Sequence, residues 1–598
     1  MRNKLDNYKL TVLELNIEKD NLKIQLEVEG IYTPVIRAPK LAIFFDNGKE
    51  IRRIPIMVLS YYPKKDLKTF VLFAEHTYDL NYIYYAEEEI EKFSIYFEFI
   101  YGDDRIHHMP FQLEKGMKIS GDKKYKVKPS SENTRLSVVN SQYRPVRVVN
   151  EIVDLGTSCI RGLWDLVLII ITIFLSPIFL VEAVLEQFRC AASAPKNKVN
   201  RGKRFFNHIR WRYGNFSRME FGVKRAKLNL FKFYYKAMCL RRIKKNRILF
   251  LSNRRDELSG NLGYVYEVLR QRQGLDFVYL LDSSVEGKEM KLSTSFKLAE
   301  YLATSRIILV DDFYFMLYKI PKRKGTSIFQ LWHACGAFKT FGFSRANFIK
   351  SKKKQREKSH RNYDYTIVSS QEIADFYAEG FGLSIEKAKA TGIPRTDIFF
   401  DVEYKKRMQE EFYKHYPKLK EKKILMFAPT FRGQGKVSGY YPVFRFDLKK
   451  VYEALNGEYA IIIKHHPFVQ DRNEIPEEYK EYIIDLSEEA EINDLLFVTD
   501  LLVTDYSSVI FEAALLDIPM LFYAFDLHQY ISTRGFYYEY ELFVPGKIVD
   551  SEKAMLTAME EKDFEEEKIQ NFKTRFFDDL DGKSSERVAE LILDTMNG

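Results

Sequence analysis

Two histidines in this 598-residue chain stand where an imidazole can move a proton. His333 closes the run IFQLWH and leads, through the small residues Ala334, Cys335 and Gly336, to Lys339. A histidine of near-neutral pKa at a strand end suits the role of general base toward an attacking hydroxyl. His466 follows the apolar run III and Lys464, and Pro467 stops the strand directly after it. Adjacent strand residues face opposite ways, so at most one of His465 and His466 enters a site. The residue beside the proline is favoured, and His465 is expected to pack internally. Lys464 adds a cation that can neutralise charge gathering on a departing nucleotide phosphate. A lone histidine is more often structural; the pairing of two, in two separate strand-rich regions, carries the catalytic reading.

A third element is LLVTDYSSVIFEAALLDIPMLFYAFD, beginning at Leu501. A buried strand ends at Thr504 and Asp505, and Ser507 and Ser508 stand where the helix VIFEAALL must begin. Serine at an N-cap satisfies unpaired backbone donors, and the positive end of a helix favours a phosphate just outside it. Capping without a ligand is the simpler alternative; the location at the carboxyl end of a strand points to a ligand. Arg432 in APTFRG and Arg534 in TRGFYYEY follow strand-like runs, and each can grip phosphate oxygens bidentately or lie on the surface. Cys335 as a nucleophile would need pairing with a base that a sequence does not show, and this reading is not favoured. No acidic cluster of two-metal type stands out, so no metal site and no required cofactor are expected.

These residues need elements to bring them together. From Arg247 onward apolar runs alternate with amphipathic stretches: RILFLS, FVYLL, RIILVDD and YTIVSS, then KILMFAPT, YAIIIKHH, DLLVTDYS and PMLFYAF. Continuous apolar runs read as parallel strands covered on both faces, and two successive groups imply two doubly wound α/β units facing a cleft. The expected units are a Rossmann-like domain over 247–396 and a second over 397–598, the outline of a GT-B transferase. Outline alone does not give function. Residues 1–150 show short alternating runs such as LKIQLEVEG and FSIYFEFIYGDD, which predict a small antiparallel β-sandwich-like domain of no legible role.

The stretch between, 151–246, reads as membrane-associating. LVLIIITIFLSPIFLV, residues 166–181, has no charge. As a helix it would reach roughly 24 Å, short of a hydrocarbon core of about 30 Å, and Pro177 would bend it. From Lys196 to Arg247 there are eighteen Lys or Arg against one acid, Glu220, with Trp211, Tyr213, Phe231, Phe233, Tyr234 and Tyr235 interleaved. A basic, aromatic-studded segment beside an apolar one suits an anionic leaflet. The alternatives are a core helix with a solvated charge run, or an RNA-binding surface. The net charge of +10 favours polyanionic partners without choosing among them. Four cysteines, none in a Cys-x-x-Cys pair, argue against a disulfide framework and a structural zinc site. The N-terminus lacks an apolar secretory core, so a cytoplasmic chain is expected.

The ordered set LWHACGAFK, TGIPRTDIF, ILMFAPTFRG, IIKHHPF, VTDYSSVIFEAALLDIPMLFY, RGFYYEY and VPG resembles the CDP-glycerol glycerophosphotransferase family, which includes the teichoic-acid glycerol-phosphate and ribitol-phosphate polymerases. The resemblance covers about residues 245–598. It implies a GT-B fold, with a CDP-alcohol bound mainly by the C-terminal domain and a catalytic histidine from each half. Matched by motif, His333 takes the place of the histidine in the family's Trp-His-Gly-Thr-Pro element and His466 that of its His-Pro element. Asp505, Ser507 and Ser508 match its Thr-Asp-Tyr-Ser-Ser motif, Glu512 the acidic position one turn on, Arg534 and Gly535 its Arg-Gly-Phe motif. Lys583, Ser584 and Ser585 match its terminal phosphate-side element. Gly-Thr-Pro is replaced by Ala334, Cys335 and Gly336, which leaves the polyol, glycerol or ribitol, open.

The expectation is therefore transfer of glycerol phosphate or ribitol phosphate from a CDP-alcohol to a lipid-linked poly(alcohol phosphate), releasing CMP. Lys339, Arg432, Lys464, Asp505, Ser507, Ser508, Glu512, Arg534, Lys583, Ser584 and Ser585 are the expected donor-binding residues. The expected location is the cytoplasmic face of the membrane, peripheral or monotopic, with an anionic membrane surface but no nucleic acid among the partners and a homo-oligomer possible. The alternatives are a nucleotide-sugar glycosyltransferase of the same fold and a non-catalytic membrane- or RNA-binding protein.

Overall fold

Strict alternation in segments such as LKIQLEVEG gives a strand one apolar face, and ten strands of a single sheet precede residue 141 in the structure, a computed structural model. It describes residues 7–141 and 219–598, apart from 19, 33–38, 49–50, 65–67, 81–90, 103, 116, 118–123, 132, 283–290, 345–359, 361, 434–438, 443–444, 470–471, 473, 528 and 531–534, together with eleven positions between Val167 and Leu185.

The strands are β1 Tyr8–Glu18, β2 Asn21–Ile31, β3 Lys40–Asp46, β4 Ile51–Pro63, β5 Thr69–Asp79, β6 Lys92–Tyr101, β7 Asp104–Ile106, β8 Phe111–Leu113, β9 Tyr125–Pro129 and β10 Leu136–Asn140. They run in the order β8-β1-β2-β5-β4-β3-β6-β10-β9, with β7 on β6, and only the β1–β8 pair is parallel. All ten feed one apolar core, from Leu10 in β1 to Leu136 in β10, so the sheet curls over its own interior. Within it Arg53 is buried against Glu98, its guanidinium 2.7 and 2.8 Å from one carboxylate oxygen.

The first parallel sheet comprises β11 Lys244–Ser252, β12 Asp276–Leu281, β13 Ser305–Val310, β14 Ser327–Gln330, β15 Tyr365–Val368 and β16 Ala388–Ala390, in the order β12-β11-β13-β14-β15-β16. The second comprises β17 Lys423–Phe427, β18 Tyr459–Ile463, β19 Ile483–Asp485, β20 Leu501–Thr504, β21 Met520–Tyr523 and β22 Lys547–Val549, in the order β19-β18-β17-β20-β21-β22. Every pair in both is parallel. Runs such as YAIII, buried at every position, fit strands covered on both faces. Each order reverses direction once, between β11 and β13 and between β17 and β20; such switch points open ligand crevices at the strands' carboxyl ends.

Three features refine the expected organisation. The aromatics Phe231 and Tyr235, read as membrane-facing, are buried in the core of the first α/β unit: their helix, Met219–Met238, packs on the helix Leu292–Thr304, and the Tyr235 hydroxyl donates to Pro321 O at 2.6 Å. The buried positions of that helix thus pack on protein. The final helix, Ser584–Asn597, returns to the first unit, where Arg306 bonds Thr595 O and the Ser584 and Ser585 amides bond Asp397. The described positions of 166–181 are helical and mostly exposed, Phe174 to 78%, and the remainder lie outside the described residues, as do 186–218. Among the described residues no helix is long and apolar enough to cross a membrane.

Candidate active site

At the switch point of the second sheet, the loops after β17 and β20 meet through Asp505. One carboxylate oxygen accepts from the Thr430 amide and hydroxyl, both at 2.8 Å, and from the Tyr506 amide at 2.6 Å; the other accepts from Arg432 at 2.7 Å. Arg432 also forks onto Asp526 at 2.7 and 2.9 Å and donates to Thr430 O at 2.6 Å. Tyr441, Tyr506, Phe525 and Tyr530 enclose its guanidinium at 5.1–5.5 Å. Burial opposes its charge, but the two carboxylates outweigh that and raise its pKa. The bidentate fork expected of Arg432 is made here to two carboxylates, the buried Asp505 and the partly buried Asp526, and braces the loop beneath the crevice. Lys464 is likewise committed, donating to the carbonyls of Leu486, Ser487 and Ala490 at 2.6–3.2 Å.

His465 is buried beside Phe427 and Tyr441. The His466 ring lies 4.6 Å from both Phe431 and Phe468, and its Nδ1 accepts from the Phe468 amide at 3.2 Å. An accepting Nδ1 carries no proton, so in neutral His466 the proton sits on Nε2. Ser507 and Ser508 form a turn before the helix, which runs only from Ile510 to Leu515, with Val509 at its N-cap. The Ser507 hydroxyl accepts from the Val509 amide at 3.3 Å. The N-cap thus falls one residue beyond the expected Ser508: the dipole of so short a helix is small, and the serines are turn residues at the crevice edge.

His333 follows β14, whose end is locked by Gln330. The Gln330 side chain accepts from the Trp332 amide at 2.9 Å and donates to Asp312 O at 3.1 Å. Trp332 takes φ +53, a left-handed conformation that a bulky residue adopts only when its surroundings dictate it, here a pocket of Phe341 and Phe381. His333 Nδ1 lies 3.4 Å from Asp312 Oδ2, and Arg254 approaches that oxygen at 3.6 Å. Burial pushes the imidazole pKa down to about 4, with Asp312 opposing and Arg254 and Arg395 adding to the fall. His333 is therefore a neutral base at physiological pH. Beside it Asp311 is buried, and that burial raises its carboxyl to about 6.

The two halves meet at the loop after His333. A Cβ on Gly336 would lie 2.1 Å from the Phe511 ring, so only glycine permits this approach to the helix Ile510–Leu515. Lys339 bridges to Phe536, and its ammonium lies 3.3 Å from the Tyr530 hydroxyl. Arg395 bonds Glu512 across the junction, and burial, partly offset by Arg395, raises the Glu512 pKa. The Arg395 amide donates to Asn261 Oδ1 at 3.0 Å, while Asn261 Nδ2 donates to Leu331 O and Trp332 O. The His333 loop and the helix Ile510–Leu515 thus share one contact network, while His466 packs on Phe431 beside the loop after β17. Lys583 is exposed, and the Ser584 and Ser585 amides hold Asp397 at 2.9 and 2.7 Å, so this expected phosphate element caps the last helix with a side chain instead. Arg534 lies outside the described residues. Asp312, Asn261 and Arg395 had escaped selection as site residues; the paired acids closing RIILVDD at a central strand end were the signal for the first.

A pair of parallel-sheet units with a polar network at their junction is the α/β frame on which group-transfer chemistry is commonly built. The chain belongs to the CDP-glycerol:poly(glycerophosphate) glycerophosphotransferase family, whose model matches residues 233–594. Similar proteins include the teichoic acid poly(ribitol-phosphate) polymerase of Bacillus spizizenii, 45% identical over 372 residues that make up 62% of this chain and 60% of that protein. The teichoic acid ribitol-phosphate polymerase TarK of Staphylococcus aureus is 43% identical over 373 residues, 60% of this chain and 71% of that one. The chain thus spans about three fifths of the length of the first of these relatives. The structure of the wall teichoic acid polymerase TagF superposes with TM-score 0.52 at 20% identity, covering 66% of this chain and 98% of that one, and shares the fold.

Proposed function

We propose that the chain transfers ribitol phosphate from CDP-ribitol to the terminal hydroxyl of a lipid-linked poly(alcohol phosphate), within a cleft of GT-B type. The observation that carries this reading is the junction network joining the His333 loop to the helix Ile510–Leu515, which follows the Ser507-Ser508 turn, through Arg395 and Glu512. Ribitol is favoured over glycerol because relatives named for ribitol phosphate are 39–45% identical and those named for glycerol phosphate 28–33%. The acceptor hydroxyl attacks the β-phosphorus, its proton passes to the neutral His333, and the bond between the β-phosphorus and the bridging oxygen breaks to release CMP. Asp312 orients the imidazole and steadies the imidazolium. His466, with its proton on Nε2, stabilises charge on the departing phosphate, and the Ser507-Ser508 turn and Lys339 line the donor side.

Work at the cytoplasmic membrane face belongs to the same reading. It is supported by the exposed apolar positions between Val167 and Leu185 and by the cationic stretch after Lys196. A donor panel of CDP-ribitol, CDP-glycerol, UDP-sugars and CMP-sugars, with CMP release as the readout, tests it. The expected result is turnover with CDP-ribitol, reduced roughly 100-fold or more in His333→Ala. Undiminished turnover in that variant, or turnover with sugars alone, overturns the reading.

A further inference from the structure

The switch point of the first parallel sheet carries its own ligand chemistry. Its two strand ends, after β11 and β13, present Arg254 and Arg255 on one side and Asp311 and Asp312 on the other. The β11 loop is held in place by backbone and side chain: Ser252 Oγ accepts from the Arg254 amide at 3.1 Å, and Asn253 donates to Phe313 O at 2.7 Å. Arg255 donates to Ser259 Oγ at 2.9 Å and stands 4.0 Å from Asp311. Arg254 differs sharply from Arg432. Its side chain is 43% exposed, and its nearest carboxylate, Asp312, lies at 3.6 Å, beyond hydrogen-bond reach. An arginine fixed at its base with its fork uncommitted, at a crevice of this kind, is suited to a phosphate oxyanion.

Geometry ties this cation to the reacting centre. His333 Nδ1 and the Arg254 guanidinium lie 3.4 and 3.6 Å from the same Asp312 oxygen, which puts them within about 7 Å of each other. That is comparable to the length of one polyol between its free hydroxyl and its phosphate. We propose that Arg254, supported by Arg255, forms an acceptor subsite for the last phosphodiester of the growing chain, so that the terminal hydroxyl one unit further on is presented to His333. The proposal rests on the transferase reading for the identity of the acceptor. The subsite recognises a phosphodiester monoanion; the same chemistry could come from the donor diphosphate, and the experiment separates the two. It also explains how one site could serve repeated addition: each transfer leaves a new terminal hydroxyl the same distance from a new phosphodiester.

The test has two arms. In the first, a three-unit glycerol-phosphate oligomer is titrated by calorimetry into the full chain without donor. Arg254→Ala is expected to weaken binding roughly 10- to 100-fold, the scale of a lost charge-assisted pair, with Arg255→Ala weaker in effect. Equal affinity in wild type and Arg254→Ala overturns the subsite. In the second, KM is measured for the phosphodiester acceptor and for an uncharged methylphosphonate analogue, with CDP-ribitol as donor. The wild-type preference for the charged acceptor is expected to collapse in Arg254→Ala and to return in part in Arg254→Lys. An equal loss for both acceptors would mean that Arg254 acts through Asp312, and a rise confined to donor KM would assign the cation to the donor; either overturns the proposal. If wild type releases CMP from no CDP-alcohol, the transferase reading fails, while the calorimetric arm still judges the subsite.

Discussion

The His333 imidazole, its pKa pushed down to about 4, sets the acid limit of any reaction that uses it as a base. An ordinary histidine loses its basic form as pH falls through about 6.5. A lowered pKa keeps the ring neutral through that range and gives up the basic form only near pH 4. The acid limb of kcat/KM is therefore expected below the ordinary histidine range, and a limb centred near 6.5 would assign the base elsewhere. The same lowering costs stability on acidification, since below about 6.5 the unfolded chain binds a proton that the folded one does not. Arg432 yields a different prediction. Replacing it with Met leaves the buried Asp505 and the partly buried Asp526 without their cation, which costs about 3–5 kcal/mol, visible as a lowered melting transition. The strand-end placement of His333, His466, Asp505 and the serines was legible because each follows closely on a mostly apolar run. The committed state of Arg432 and Lys464 was not, since it depends on Asp526 and on carbonyls over twenty residues away, which no local pattern reports.

At the level of elements, the two groups of apolar runs led to two parallel sheets because continuous hydrophobicity has few other structural outcomes in strands of this length. The helix Met219–Met238 was harder to read. Its lysines and aromatics fit a membrane surface as well as a core, and only its partner, the helix Leu292–Thr304, decides between them. The close approach of Gly336 to Phe511 yields a sharp expectation for the junction. Gly336→Ala should leave both sheets folded, shown by unchanged far-ultraviolet dichroism, while turnover falls at least tenfold as the His333 loop is pushed from the Ile510–Leu515 helix. Adding Phe511→Leu should restore part of the loss. Failure of the second change to help would show that contact not to be the constraint.

Over the whole molecule, the N-terminal sheet is more than an appendage. Lys40 is buried 3.1 Å from Glu379 and stands over the Phe376 ring at 3.7 Å, binding β3 to the helix Ala374–Phe381 that supports Trp332. Lys40→Met alone is expected to destabilise by about 3–5 kcal/mol, and Lys40→Met with Glu379→Leu to recover much of it, because an unpaired buried charge costs more than an absent pair. Hydrogen exchange in residues 374–381 would report the difference.

The return of the last helix to the first α/β unit also bears on the timing of synthesis. Val588 and Ile592 pack into the core against that unit, yet about 190 residues separate β16 from their helix, roughly 10–40 s at ordinary elongation rates of about 5–20 residues per second. Through that interval the nascent first unit exposes the apolar groove its final helix will fill. Synthesis of residues 584–597, more than the appearance of its own six strands, completes it, and a chain stopped at Lys583 should emerge prone to aggregation, measurable as loss to the pellet on expression.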